Sequence, residues 1–242
     1  LIAALAVAVS VALPAVAQDA SGPILFTNVN VFDGVHEALI KKANVVVTGN
    51  KITAVSTEPL AVAGGTVIDG GGRTLMPGLT DCHWHSMAAN FSGNAFALGE
   101  GKLNLVAADG AEKTLMRGFT TIRDMGGNVF DLKSVIDEGM YVGPRMYAAG
   151  SMISQTSGHA DFRQPIEIPQ SYSRDLTPQE RMGSVAIADG RAQVMQRVRE
   201  NLMRGAAFIK LMGGGGVASP SDPLDVSQYT VEEIAAAVEA AQ

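Results

Sequence analysis

From Thr74 onward, short apolar runs that read as strands alternate with segments that read as helices. That alternation calls for a parallel sheet with helical crossovers, because parallel neighbours cannot be joined by a tight hairpin. The first run is Leu75-Met76-Pro77-Gly78-Leu79-Thr80. A helix is expected over about residues 104–117, ended by Gly118, and then a strand over 119–123. A short helix near residues 129–138 and a third strand over 145–149 follow. Thr177-Pro178-Gln179-Glu180 is a capping box with proline at the first helical position. It is read as opening one long helix to about Arg204, stopped by Gly205. Residues 206–212 read as a fourth strand, and Thr230-Val231-Glu232-Glu233 caps a last helix. Four such units make half of an eight-fold barrel, which needs roughly 250 residues by itself. A fifth strand is therefore expected beyond residue 242. The fold class is α/β, the first half of a (β/α)8 barrel of the TIM type.

Before Thr74 the pattern differs. Residues 24–32 are β-rich and end at Asp33-Gly34. Residues 44–48, the pair Gly49-Asn50 and residues 51–55 read as a hairpin with a two-residue turn. Residues 66–69 form another short strand, closed by Gly70-Gly71-Gly72. Residues 18–74 are thus expected to be a small all-β subdomain preceding the barrel half, residues 75–242. Residues 1–16 are almost wholly apolar, and Ala15-Val16-Ala17 is a cleavage site of the A-x-A type. Residues 1–17 read as the end of a signal peptide whose Met and basic start are missing. This implies export to a periplasm or the cell exterior, with membrane contact only during export. Pro14 and Ser10 interrupt the run, which is short for a span.

The net charge of -6, with no basic run, excludes nucleic acid as a partner. Cys82 is the sole cysteine, so neither an intrachain disulfide nor a cysteine-rich zinc site can form. Its strand parity opposes that of its neighbours, so it is read as a small buried filler. Those neighbours are the candidate ligands. In Asp81-Cys82-His83-Trp84-His85 two histidines lie one residue apart at the end of an apolar run. On an extended backbone both face one side, where two neutral imidazoles can reach one metal ion. An isolated pair of this kind also fits two ordinary histidines at a strand edge.

Lys210 stands in an otherwise apolar strand, where an unpaired ammonium is costly. Burial lowers a lysine pKa and frees a nucleophilic amine, which can take up carbon dioxide as a carbamate that bridges two metals. A lysine that reaches water from a strand end is the alternative. The run Gly213-Gly214-Gly215-Gly216 follows; it lacks the P-loop pattern and gives no support for phosphate binding. His159, in the loop sequence Gly158-His159-Ala160-Asp161, is a candidate for binding substrate or a proton, or is a plain loop histidine.

Taken together, the first strand through His85, the run Gly118-Phe119-Thr120-Thr121-Ile122-Arg123-Asp124-Met125-Gly126-Gly127, and Phe208-Ile209-Lys210 resemble the amidohydrolase superfamily. Gly143-Pro144-Arg145, Gly150-Ser151-Met152-Ile153-Ser154 and the His159 loop resemble its imidazolonepropionase-related branch, which includes prolidase-like (Xaa-Pro) dipeptidases. The resemblance runs from about Ile24 to the end. It implies a β-sandwich beside the barrel, with His83 and His85 as first-strand metal ligands and Lys210 as the carboxylated bridging lysine. His159 falls in a glycine-histidine-glycine-aspartate substrate loop, with Ala160 in place of the second glycine. Two further histidines and the general-base aspartate are expected beyond residue 242, so residues 1–242 by themselves are expected to bind metal weakly and to be inactive. The implied activity is hydrolysis of amide C–N bonds in dipeptides or N-acyl amino acids by a metal-activated water. The implied cofactors are two divalent ions, with zinc the natural choice, and a carbon dioxide-derived carbamate. Partners are a small amide or dipeptide substrate and, compatibly with the sequence, other copies of the chain. A mononuclear deaminase or cyclic-amide hydrolase of the same superfamily and an exported non-catalytic relic are the competing readings; Lys210 argues against the former.

Overall fold

A computed structural model of the chain describes residues 22–89, 98–169, 175–219 and 221–242. The apolar run of residues 1–17 lies outside them. The chain divides into two compact units, and the break falls between Pro77 and Gly78.

The first unit is built on β1 (Ile24–Val31), which pairs antiparallel with β2 (Ile40–Thr48). β3 (Lys51–Ser56) closes the hairpin with Thr48 opposite Lys51, so Gly49 and Asn50 are the whole turn. Gly49 has φ +57°, the left-handed backbone that such hairpin turns require. β4 (Thr66–Asp69) and β5 (Thr74–Leu75) both run parallel to β1. The result is one five-stranded sheet; a second layer of the expected sandwich is not seen among the described residues. Val29, Ala43 and Val45 are buried on it together, with Phe26, Val31 and Leu75 packed against them.

The second unit contains a parallel sheet in chain order: β6 (Leu79–Trp84), β7 (Phe119–Asp124) and β8 (Arg145–Ala148). α1 (Glu100–Met116) and α2 (Phe130–Asp137) are the crossovers. Ile122 and Met146 from the sheet meet Leu103, Ala107, Val129 and Leu132 in one apolar core. After β8 the chain kinks at Gly150, with φ +77°, and β9 (Met152–Ser154) begins. A Cβ at Gly150 would lie 2.7 Å from the Asn201 amide oxygen. That amide clamps the kink, accepting from Ser151 N at 3.0 Å and donating to Ser151 O at 2.9 Å. β9 pairs in parallel with β10 (Val185–Ile187). α3 (Pro178–Arg181), α4 (Gly190–Met203) and α5 (Val231–Ala241) complete the unit. Ile153, Val194, Val198, Ala186 and Ala237 form its second core. No described helix is long and apolar enough to cross a membrane.

Four expectations are corrected. The strand expected over residues 75–80 is divided: Leu75 belongs to the first sheet, and β6 starts only at Leu79. Pro77, with no N–H to give, lies between them. The long helix expected from Pro178 is a single turn, because Gly183 takes φ +71° and caps it. The apolar, β-branched run Val185-Ala186-Ile187 then gains more as a fully buried strand beside β9 than it could on a helix. The fourth strand, residues 206–212, lies along β9 with only one bridge, Leu211 to Ile153. Ile153 N donates to Lys210 O at 3.1 Å, and Met212 N to Ile153 O at 3.0 Å. The kink at Gly150 keeps β8 and β9 from offering one continuous partner. Finally, Cys82 is exposed rather than buried. The β6–β7 register shifts between Asp81 and Trp84, and His83 N donates to the Asp81 carboxylate at 2.9 Å instead of continuing the ladder. This bulge breaks the strict alternation on which the buried reading rested.

Candidate metal centre

His83 lies near the end of β6, and His85 directly follows its last residue, Trp84. The bulge at Asp81 does not separate them: their ring centroids lie 5.4 Å apart with the planes tilted by 49°. His83 is exposed and His85 half-buried. His85 Nδ1 lies 3.2 Å from Gly126 O. A carbonyl only accepts, so Nδ1 carries the proton and Nε2 is left as a bare Lewis base. Gly126 is required for this contact. A Cβ there would come within 2.3 Å of Met152 Cγ and 3.3 Å of His85 Cε1.

Lys210 stands near enough to act electrostatically on His83. The pKa of His83 is lowered, first by desolvation and then by the Lys210 ammonium and His85. Lys210 is half-buried, and desolvation lowers its pKa as well. Both shifts favour the neutral, ligand-competent form. Beside them, the Arg123 guanidinium lies 4.3 Å from the centroid of the Phe208 ring, a cation–π contact that ties β7 to the segment carrying Lys210. The structure thus sets the two histidines side by side and Lys210, 125 positions or more away in the chain, within electrostatic range of His83. Among the described residues, no group of three or more His, Cys, Asp or Glu side chains is placed to hold a metal. The candidate donors are the two imidazoles and the lysine amine that the sequence singled out.

Asp124 was not singled out. It ends β7 and is fully buried. Its carboxylate accepts from Ser86 N at 2.7 Å and from Gly126 N at 3.1 Å, thereby holding the residues on either side of His85. Burial raises its pKa against the pull of those hydrogen bonds and of His85. The signal available in the sequence was an acidic residue closing a strand directly before a Gly-Gly pair. Next to His85 opens an apolar cavity lined by Met87, Leu103, Gly127, Met152 and Met182.

His159 lies in another cluster. Its Nδ1 is 2.8 Å from Asp222 Oδ2 and 2.9 Å from Ser219 Oγ, and its backbone N donates to Gln228 Oε1 at 2.9 Å. The expected Gly-rich segment packs flat against this ring: a Cβ at Gly216 would sit 2.3 Å from His159 Cε1. Ala160 keeps a left-handed backbone, φ +79°, at the position where the resembling loop carries glycine. Asp161 pairs with Arg163 beneath the loop, both side chains buried.

The amidohydrolase family model matches residues 74–242. An ochratoxinase of Aspergillus niger is 36% identical over 176 residues, which are 69% of this chain and 36% of that protein. A prolidase solved with N-methylphosphonate-L-proline superposes with TM-score 0.79 at 34% identity, covering 90% of this chain and 53% of that one. A Xaa-Pro dipeptidase with methionine bound in its active site gives TM-score 0.75 at 29% identity, covering 90% and 54%. The chain therefore spans about half the length of these solved structures. By the family match and the shared parallel sheet, the chain belongs to the amidohydrolase family.

Proposed function

We propose that this protein is a metal-dependent hydrolase of amide bonds in dipeptides or N-acyl amino acids, in which His83, His85 and Lys210 hold the metal. The observation that carries the proposal is the approach of two imidazoles at the end of β6, with a desolvated lysine within electrostatic range of His83. Neutral nitrogen donors suit borderline divalent ions, and zinc is the ion proposed, two per site. Bound there, the ions supply Lewis acidity that polarises the amide carbonyl and lowers the pKa of water. The chain's own residues prepare the site. Gly126 O fixes the His85 tautomer, and Asp124 holds the backbone on both sides of it. Desolvation keeps Lys210 a better nucleophile. Its neutral Nζ attacks the carbon of carbon dioxide, an N–C bond forms and one proton leaves to water, giving an anionic two-oxygen ligand. His159 is the proposed substrate-binding residue. The ligands of the prolidase and dipeptidase relatives are a phosphonate derivative of an amino acid and an amino acid, which supports a substrate ending in an amino acid. The apolar N-terminal run supports export to a periplasm or the exterior.

The test is the full-length protein, zinc-loaded in bicarbonate buffer, assayed against panels of dipeptides and N-acyl amino acids. Lys210→Ala and His83→Ala are expected to lose at least about 100-fold in turnover, as Lewis-acid stabilisation is worth several kcal/mol. Turnover by Lys210→Ala at the wild-type level rejects the two-metal site and favours a mononuclear deaminase or cyclic-amide hydrolase.

A further inference from the structure

The cavity beside His85 has an apolar lining. Met87, Met152 and Met182 contribute three thioether side chains to it, and Leu103 and Ala88 extend the apolar wall. Gly126 and Gly127 contribute backbone, and Ser184 contributes a hydroxyl. Among the described residues, no Asp, Glu, Lys or Arg lines the cavity, and His85 is its titratable group. A charged group entering this space would lose its hydration without gaining a charged partner, whereas an apolar group gains by leaving water.

The backbone around the cavity is cross-tied. The chain turns back directly after His85, with Ala88 N and Ala89 N both donating to His85 O, at 3.0 and 2.8 Å. The buried Asp124 carboxylate joins this turn to the one after β7, accepting from Ser86 N and Gly126 N. Gly127 N donates to Gly150 O at 3.1 Å, and Met152 N donates to Ser184 O at 3.1 Å. Walls drawn from the ends of β6 and β7 and from β9 are thus held in one frame. The side chains on that frame are mostly unbranched thioethers, which repack around a guest at little cost. A fixed frame with an adaptable lining selects by polarity more than by exact shape.

His85 is the boundary between this cavity and the candidate metal centre. Its Nδ1 is engaged by Gly126 O. Its Cε1, the atom bonded to both ring nitrogens, faces Gly126: a Cβ there would lie 3.3 Å from Cε1 and 2.3 Å from Met152 Cγ. A molecule whose amide carbonyl reaches a metal held by Nε2 has its neighbouring groups beside the cavity, so the occupant that this position calls for is part of the substrate itself. We propose that the cavity is the specificity pocket of the hydrolase: it takes an apolar side chain or aromatic ring carried next to the scissile bond. The substrate class is then amides of apolar, rather than charged, amino acids or acyl groups. This rests on the hydrolase reading above.

The experiment uses the full-length, zinc-loaded protein and four amides: N-acetylglycine, N-acetyl-L-phenylalanine, N-benzoylglycine and N-acetyl-L-glutamate. At least one of the two aromatic amides is expected to exceed both N-acetylglycine and N-acetyl-L-glutamate in kcat/KM by about tenfold to 100-fold, the worth of burying one large apolar group. Which aromatic amide does so tells which side of the scissile bond enters the cavity. Ala88 lines the cavity yet is exposed, so Ala88→Phe narrows it without overpacking the core. Met182→Trp narrows it from another element. Either variant is expected to cut the ratio of kcat/KM for the aromatic amide over N-acetylglycine by about tenfold. A wild type that does not prefer an aromatic amide overturns the proposal. So does a ratio unchanged in both variants, including the case where both amides lose activity in equal proportion, which is a merely structural effect. If the wild type turns over none of the four, the hydrolase reading is judged on the wider panels above, and calorimetric titration with the same four amides decides on the cavity by itself. Binding of an aromatic amide about tenfold tighter than that of N-acetylglycine, and weakened about tenfold by Ala88→Phe, supports it. Equal affinities, no weakening or no binding overturns it.

Discussion

At the scale of single residues, the site depends on residues whose side chains never reach a ligand or are absent. Gly126 is the clearest. A methyl there strikes Met152 and crowds His85, so Gly126→Ala should displace the imidazole whose tautomer Gly126 O fixes. Loss of such a supporting contact costs about 10- to 100-fold in metal affinity. Chelator-competition titration of the full-length protein measures it, and unchanged affinity would show that His85 is not a ligand. Asp161 offers a test by pH. Burial works to raise its carboxyl, but hydrogen bonding and charge from Arg163 outweigh that and hold it below the ordinary 3.8. A depressed carboxylate stabilises the fold above its unfolded pKa, and that contribution fades as pH falls from about 3.8 through the lower folded value. Denaturant unfolding across that window should show a steeper loss of stability in wild type than in Asp161→Asn. The variant should already be weaker at neutral pH by about 3–5 kcal/mol, the cost of breaking a buried pair.

At the scale of elements, β9 decides how the second unit is joined. Ile153 is fully buried, pairs with Ala186 on one side and bridges to Leu211 on the other. Ile153→Ala removes packing from the core that also holds Val194 and Val198, at a cost of about 2–5 kcal/mol. Chemical denaturation should show it as a lowered midpoint with an unchanged slope. Gly183 sets the end of α3 and the start of β10. Its φ is +71°, and a Cβ would lie 2.6 Å from the Arg204 guanidinium. Gly183→Ala should therefore cost about 1–2 kcal/mol from the left-handed backbone alone, read in the same unfolding assay. The long helix expected across this region failed for the same reason. A capping box announces where a helix starts, whereas its length depends on what the following residues can bury elsewhere.

At the scale of the whole molecule, two compact units with separate cores part at Pro77 and Gly78. Val29, Ala43 and Val45 of β1 and β2 form the centre of the first core, with Leu75 of β5 packed against them. A destabilising change there, such as Val45→Ala, should shift a calorimetric transition that Ile153→Ala leaves in place. A single transition moved equally by both would mean the two cores unfold together. The family match begins at residue 74, close to this break.

Much of this was legible from order along the chain. A period of two in residues 44–55, the turn Gly49-Asn50, and apolar strands alternating with amphipathic helices depend on neighbours in sequence, so the hairpin and the parallel sheet could be read directly. The histidine pair could be read because strand geometry relates residues two apart. Lys210 could be read because one charge in an apolar run is costly wherever the run is buried. The tertiary structure decided the rest. It set Lys210 within electrostatic range of His83, placed Asp124 behind His85, and joined Asp222 to His159 across 63 residues. It also exposed Cys82 through a bulge and turned residues 185–187 into a strand. Each of these outcomes turns on desolvation and on hydrogen-bond partners distant in the chain, quantities that exist only once the chain has folded.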